Sequence, residues 1–219
     1  MSSEFIVHLV HFLGMLLLIT SLGIIASPLL SACIRFYAMH SFLLSLITLA
    51  IAYNHHLWHL GISALLTFLL KVIAIPQIFL AISLKIGMRK EVESYINIPS
   101  SLFLAVILIF VSFYVTVGAK TSSALSSWEF LPIAIATVLL GMFVMTTRKK
   151  AITQVLGQLL MENGLFLTGI TMTFGMPLLV ELGILFDVLV GIIMMGIFIF
   201  KIRSAFEGID VDDMTVLKG

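Results

Sequence analysis

The chain has 219 residues, of which 61% are hydrophobic and 11% are charged, and its formal net charge is +1. A soluble domain carries about 25% charged residues, so this chain lacks the polar residues needed to cover a water-facing surface. The small net charge argues against nucleic acid as a partner held by electrostatic attraction. The single cysteine, Cys33, excludes an intrachain disulfide and a cysteine cluster for zinc or iron–sulfur binding. The composition predicts an integral membrane protein.

Seven apolar stretches are long enough to cross the hydrocarbon core, which takes about 20 residues. Their apolar runs are too long and too uniform for the alternating strands of a membrane barrel, so an all-α polytopic fold is expected. The predicted transmembrane helices cover residues 5–26, 29–53, 60–86, 100–119, 128–147, 151–173 and 177–200. No basic residue precedes the first stretch, which favours a transmembrane helix over a cleavable signal peptide.

The lysines and arginines predict the orientation of these helices, because basic residues are retained on the cytoplasmic side. With the N-terminus outside and the C-terminus inside, the external segments hold only Lys120, and Lys71 lies within the third span. The remaining basic residues all fall in cytoplasmic segments: Arg35, Lys85, Arg89, Lys90, Arg148, Lys149, Lys150, Lys201, Arg203 and Lys218.

Short connections leave no room for a soluble domain, so residues 1–219 are expected to form a single membrane domain. Within it, residues 1–127 form a four-helix part and residues 128–219 a three-helix part. The chain has no Gly-rich phosphate loop between a strand and a helix. These features predict a non-catalytic protein without a cofactor of its own.

Three ionisable residues, Lys71, Glu162 and Asp187, lie near the middle of the third, sixth and seventh spans. At about 1.5 Å per residue they are roughly 18 to 21 Å from the cytoplasmic helix ends, close to one plane. A charge at the centre of a span costs roughly 3 kcal/mol on insertion scales. Burial disfavours the charged form of such groups, which lets them exchange protons. We therefore predict a proton path through these residues, with Glu181, nearer the external face, either joining it or lying solvated at the interface.

Two further polar residues, Asn163 beside Glu162 and His40 in the second span, are expected to support this path by hydrogen bonding. Five residues after Lys71 comes Pro76, which removes one backbone hydrogen bond and predicts a bend beside a polar cavity.

Histidines cluster at the external end of the third span. His55 and His59 have the spacing that lets two imidazoles face one metal ion. No cysteine or carboxylate lies close in sequence to complete the ligand set. Together with Tyr53 and Trp58, these histidines are better explained as an interfacial belt, and no metal site is predicted.

The same buried charges have a structural explanation, in which they pair with one another or with a neighbouring subunit to hold an assembly together. An autonomous transporter is a third possibility. It is the weakest, since the chain lacks the inverted repeats and paired broken helices of many transporters.

Several polar segments resemble the hydrogenase-4 component E family over nearly the whole chain. The residues that carry the resemblance are Phe36–Ala38, Lys71 with Pro76, Leu160–Gly164 with its Glu162 and Asn163, Leu179–Gly183 with its Glu181, Asp187 with Gly191, and Asp212–Gly219. The resemblance implies a non-catalytic membrane subunit of a hydrogenase-4, formate hydrogenlyase-type or complex I-related respiratory complex. Its partners would be antiporter-like membrane subunits and hydrogenase-like or complex I-like subunits, which would hold the cofactors.

The last three spans are also similar to the K subunit of respiratory complex I, which has two buried carboxylates. Asp187 with Gly191 matches the second carboxylate and its trailing glycine. Alignment of the flanking residues places Leu159 at the first carboxylate, so Glu162 lies three residues, or about 4.5 Å, further along the helix. The resemblance implies a pair of carboxylates and leaves the position of the first one open.

Overall fold

The computed structural model describes residues 3–54, 56–85, 92–117, 130–173 and 183. The chain divides into two units, Met1–Val180 and Glu181–Gly219, and all helices named here lie in the first. They are α1 (Ser3–Ala26), α2 (Leu30–Asn54), α3 (Trp58–Thr67), a π-helical segment (Phe68–Ala74), α4 (Ile75–Lys85), α5 (Ile98–Val117), α6 (Leu131–Thr147) and α7 (Ala151–Thr173). Apart from one isolated bridge, the described residues contain no β-structure, so the predicted all-α class is confirmed.

Within the part of the chain that the structure describes, four helical stretches are long and apolar enough to cross a membrane: His8–Ala26, Leu30–Asn54, Trp58–Ala81 and Ile98–Thr116. Residues 131–147 form a shorter apolar helix. The seventh predicted span, residues 177–200, lies outside the described residues. The total of seven spans, the N-out/C-in orientation and the division at residue 127 stay predictions.

Prolines define three helix ends. The residue before a proline is disfavoured in a helix, and α1 accordingly ends at Ala26, shortly before Pro28. A proline in the first turn removes no intrahelical hydrogen bond, and Pro99 and Pro132 occupy that turn in α5 and α6. These local signals explain why the predicted spans begin and end close to the observed helices.

The central core joins α1, α2, α6 and α7. Its buried residues are Val10, Leu13, Leu17, Leu43, Leu44, Ile47, Phe130, Ile133, Ala134 and Leu167. Around this core, α3 and the π segment pack on α2, while α5 packs on α1 and α6. The helix α7 thus faces both α6 and α2.

Glycines bring the backbones of α6 and α7 into direct contact. A Cβ atom at Gly141 would lie 2.4 Å from the Met161 backbone nitrogen, and one at Gly157 would lie 2.9 Å from the Gly141 carbonyl oxygen. A Cβ at Gly164 would lie 2.6 Å from the Val138 nitrogen. Since backbone atoms cannot turn aside as side chains do, only glycine permits this separation. Small residues have the same role where helices associate in membranes.

At one end of the unit, three connections are bonded to each other. They are the α1–α2 turn, residues 92–97 between α4 and α5, and the α6–α7 turn. The backbone N–H groups of Val92, Tyr95 and Lys149 donate to the carbonyl oxygens of Pro28, Thr147 and Glu93, at 2.7, 2.9 and 3.1 Å. We call this set of connections the clasp. All three were predicted to be cytoplasmic, and they do lie at one common end; which side of the membrane it faces stays a prediction.

Within the clasp, Arg148 is buried against the end of α1. Its side chain is 4% exposed, and its Nη2 atom donates to the carbonyl oxygens of Ile25 at 2.7 Å and Ile24 at 3.3 Å. These carbonyls belong to the last turn of α1, which has no intrahelical donors and carries the negative end of the helix dipole. Burial lowers the pKa of the Arg148 guanidinium from its usual value, yet arginine remains charged. The guanidinium therefore supplies both the missing donors and the complementary charge.

Candidate functional site

Lys71 lies in the middle of the π segment, between α3 and α4. The turn there is wider than an α-helical turn, and the Ile75 N–H donates to the Leu70 carbonyl, five residues earlier. Pro76, which follows, has no N–H to continue the α-helical pattern. The predicted interruption of this span is thus present, as a π segment that lies before the proline. Such segments are rare, and they occur frequently at functional sites.

The Lys71 ammonium meets two residues of α7. Its Nζ atom donates to Asn163 Oδ1 at 3.0 Å and lies 3.9 Å from Glu162 Oε2. Lys71, Glu162 and Asn163 are 3%, 5% and 1% exposed. Residues that were predicted from two widely separated parts of the sequence, Lys71 in one and Glu162 with Asn163 in the other, therefore form one buried site.

Ser41 on α2 completes this site. The Asn163 Nδ2 atom donates to Ser41 Oγ at 3.0 Å, and the serine is fully buried. An ammonium group has donors and no lone pair, so the amide oxygen must face Lys71 and the amide nitrogen must face Ser41. Asn163 is thus held in one orientation between α2 and the π segment. We refer to Ser41, Lys71, Glu162 and Asn163 as the Lys71 site.

The Glu162 carboxylate is poorly satisfied. Within the described structure, neither Oε1 nor Oε2 accepts a hydrogen bond. Unit charges about 4 Å apart attract by roughly 4 kcal/mol at an effective dielectric of about 20, whereas burying an ion costs several kcal/mol. The two quantities are similar, so the ionised and the neutral forms of Glu162 lie close in free energy. The protonation of this carboxyl group is therefore sensitive to small movements of the ammonium.

His40, next to Ser41, extends the polar region toward α1. Its Nδ1 atom lies 3.2 Å from the Leu17 carbonyl oxygen, 3.1 Å from Thr20 Oγ1 and 3.3 Å from Ser21 Oγ. A carbonyl only accepts hydrogen bonds, so Nδ1 carries the hydrogen and donates it. In the neutral ring this leaves Nε2 as the basic nitrogen. His40 is buried and lies within electrostatic range of the Lys71 ammonium.

The structure thus brings together four of the six residues predicted for the site: Lys71, Glu162, Asn163 and, beside them, His40. The other two, Asp187 and Glu181, lie outside the described residues, and their roles stay predictions. Ser41 was not predicted. Its signal in the sequence, a hydroxyl beside a buried histidine, is too common in membrane helices to single it out.

The external histidines are only partly described. His59 is the second residue of α3 and is half-buried, and His55 lies outside the described residues. In the ranges that the structure covers, no group of three or more His, Cys, Asp or Glu side chains is placed to hold a metal ion.

Comparison with known proteins identifies full-length relatives. The hydrogenase-4 component E proteins of Escherichia coli (strain K12) and Shigella flexneri are each 26% identical over 211 residues, which cover 96% of this chain and 98% of the relative. An uncharacterized protein of Mycobacterium tuberculosis is 31% identical over 150 residues, or 68% of either chain. No protein-family model and no solved structure matches the chain.

The region aligned with the Escherichia coli protein covers nearly the whole chain, so it includes the helices that build the Lys71 site. It agrees with the resemblance seen in the polar segments of the sequence, whereas the similarity to the K subunit of complex I remains a prediction. The predicted resemblance to the hydrogenase-4 component E family is therefore confirmed over 96% of the chain, at 26% identity.

Proposed function

We propose that this chain is a non-catalytic membrane subunit of a hydrogenase-type respiratory complex in the cell inner membrane and that the Lys71 site contributes to proton translocation. The family supports the first part. The second part rests on one observation: a lysine and a glutamate face each other at 3.9 Å, both buried, among apolar helices. Intramembrane ionisable residues are expensive and typically mark ion or proton paths.

The chemistry assigns complementary roles to the two charged groups. Glu162 accepts and releases a proton, because its carboxylate accepts no hydrogen bond from the described residues and its charged form is stabilised when the ammonium is near. Lys71 supplies that charge when it approaches the carboxyl group, and its ammonium donates a hydrogen bond to Asn163. Asp187 and Glu181 are proposed to continue the path on the C-terminal side, and His40 on the side of α1.

The proposed partners are antiporter-like membrane subunits and hydrogenase-like or complex I-like subunits of the same complex. The described residues contribute buried proton-exchanging groups, and the electron-transfer chemistry is assigned to the partner chains. This division of labour makes the subunit a part of the coupling machinery of the complex.

The test is Glu162→Gln in the assembled complex, with proton uptake into vesicles measured during turnover. Glutamine keeps the shape of the side chain and cannot ionise. We expect proton translocation per turnover to fall by about tenfold or more, since a positioned proton-transfer group contributes on the order of 10²-fold. Glu93→Gln is the matched control, because it removes a carboxylate that is half exposed and paired with Lys150 at 3.2 Å in the clasp. Normal translocation in Glu162→Gln would exclude the proposed role.

A structural scaffold is the second candidate, and the contacts of Asn163 favour it specifically. This residue links the π segment to α2 from α7, so the site also holds helices together. A scaffold role predicts that Glu162→Gln lowers the amount of assembled complex on a blue-native gel, while the complex that remains translocates protons normally.

A further inference from the structure

The Lys71 ammonium donates a hydrogen bond to Asn163, which is neutral, and lies farther from the Glu162 carboxylate. It lies 3.0 Å from the Asn163 amide oxygen and 3.9 Å from the nearer Glu162 oxygen. Since both acceptors belong to adjacent residues of α7, the ammonium is within reach of either. An ammonium has three N–H donors, so the Asn163 amide and the Glu162 carboxylate compete for its position rather than for a single donor.

Ser41 influences this competition. It accepts a hydrogen bond from Asn163 Nδ2 at 3.0 Å and thereby keeps the amide oxygen directed at Lys71. Among the described contacts, Ser41 bonds to Asn163 and to neither Lys71 nor Glu162. Its effect on these two groups therefore passes through Asn163.

The Glu162 carboxyl group, in contrast to the Asn163 amide, is buried without a hydrogen-bond partner among the described residues. An ionised carboxylate buried without a hydrogen-bond donor is far less stable than a neutral carboxyl group in the same position. Both Glu162 oxygens lack a donor within the described residues while Lys71 is bonded to Asn163. In this arrangement the carboxyl group is expected to carry its proton.

The geometry points to Asn163, oriented by Ser41, as the positioning residue that withholds the Lys71 ammonium from Glu162 and so keeps Glu162 protonated. Movement of the ammonium from Asn163 toward Glu162 breaks one hydrogen bond and stabilises the Glu162 carboxylate, so that the carboxyl O–H bond breaks and its proton passes to the next base of the proposed path, such as the Nε2 atom of His40. The inference deepens the proposed function and rests on it.

Among the described residues, the elements packed around this carboxyl group contribute Lys71 from the π segment and two buried titratable residues from α2. These are His40, in electrostatic contact with that lysine, and Tyr37, one turn before Ser41. The sequence of α6 (Leu131–Thr147) contains no titratable side chain. The remaining carboxylates of the predicted path, Asp187 and Glu181, lie outside the described residues.

The experiment is infrared difference spectroscopy of the purified, assembled complex near neutral pH. It detects the C=O stretch of a protonated carboxyl group, which is assigned to Glu162 by its loss in Glu162→Gln. We expect the band in the wild type. In Asn163→Leu we expect it to fall by about tenfold, because the lost hydrogen bond to a charged group corresponds to a population change on that order.

A second substitution at the same position gives the opposite result. Asn163→Asp provides an anion for Lys71, so the Glu162 band should remain, again assigned by adding Glu162→Gln. A residue that merely fills space would not produce opposite effects from leucine and aspartate. Ser41→Ala should reduce the band less than Asn163→Leu does. Ser45→Ala should leave it unchanged, because this neighbouring buried hydroxyl donates to the Ala64 carbonyl at 2.9 Å, away from the site.

The inference is overturned if the wild type has no Glu162 band near neutral pH, or if Asn163→Leu keeps the band. Should Asn163→Leu fail to assemble, Ser41→Ala takes its place, and an unchanged band in that variant overturns the inference. Proton translocation is measured in the same preparations. Normal translocation in Glu162→Gln defeats the proposed function, whereas loss of translocation with an unchanged band in Asn163→Leu defeats only the inference.

Discussion

The two regions that supply the charges of the Lys71 site are built in different ways. Glu162 is carried by α7, whose backbone touches α6 through three glycines, so that added methyl groups would lie within 3 Å of main-chain atoms. Lys71 is carried by a π-helical segment between α3 and α4, where the regular hydrogen-bond pattern is interrupted. The comparison shows that the carboxylate is held in a fixed position while the ammonium is on the more adaptable helix. We therefore expect any change of state at the site to move Lys71.

The largest expected effect tests the fixed side of this comparison. Gly141→Ala adds a Cβ atom 2.4 Å from the Met161 backbone nitrogen, which requires α6 and α7 to separate. We expect a loss of about 3 kcal/mol of stability, at the upper end of overpacking effects, measured as the unfolding free energy of the purified protein in detergent.

Gly61→Ala is the control for this change, because a Cβ atom at Gly61 has no neighbour within 4 Å. The same substitution in α3 should be neutral or slightly stabilising, since alanine favours a helix by up to about 1 kcal/mol. Equal stability of Gly141→Ala and the wild type would show that the α6–α7 contact is not rigid.

A second prediction concerns the adaptable side. Lys71→Met removes the donor to Asn163 and should destabilise the protein by about 2 kcal/mol, the value of a hydrogen bond to a charged group. If Glu162 is already protonated, the coupling between Lys71→Met and Glu162→Gln should be below about 1 kcal/mol in a double-mutant cycle. Coupling of about 3 kcal/mol or more would indicate an ionised pair.

The clasp allows a third test, because it holds the beginning of α7 against α1. Arg148→Met removes the donors to the Ile24 and Ile25 carbonyls and should cost about 2 kcal/mol. Arg35→Met removes the same charge from an exposed position that bonds only within α2, and it should change stability by less than about 0.5 kcal/mol. Similar losses of stability in Arg148→Met and Arg35→Met would mean that the clasp contributes little to holding α7 in place.

The smallest expected effect concerns His56, in the short connection between α2 and α3. His56 has a φ of 53°, and the following Leu57 N–H donates to the Ala52 carbonyl, as in a glycine-terminated helix. His56→Gly should stabilise the protein by about 0.5 kcal/mol, because glycine adopts this conformation without strain. Thermal unfolding measures the change. If His56→Gly also changed proton translocation, Lys71 would be sensitive to the start of α3, and its ability to move would not arise within the π segment alone.

Local features of the fold could be predicted from the sequence. Hydropathy and the prolines indicated the helices from α1 to α7 with small errors at their ends, and Lys71, Glu162 and Asn163 stood out because they are polar in apolar spans. The roles of Ser41 and Arg148 could not be predicted. Ser41 acts through Asn163, 122 positions away, and Arg148 through Ile24 and Ile25, more than 120 positions away. No local pattern encodes such pairings, and the π geometry at Lys71 likewise depends on how the chain packs around it.

The position of Arg148 has a consequence for biosynthesis. The last carbonyls of α1 receive their donor from a residue 124 and 123 positions later in the chain. At about 5 to 20 residues per second, the ribosome reaches that residue roughly 6 to 25 s after completing α1. During that interval, Cys33 on α2 already donates to the Ile24 carbonyl, and water or an insertion factor bonds the Ile25 carbonyl. The nascent subunit therefore becomes fully closed only once its C-terminal half has emerged.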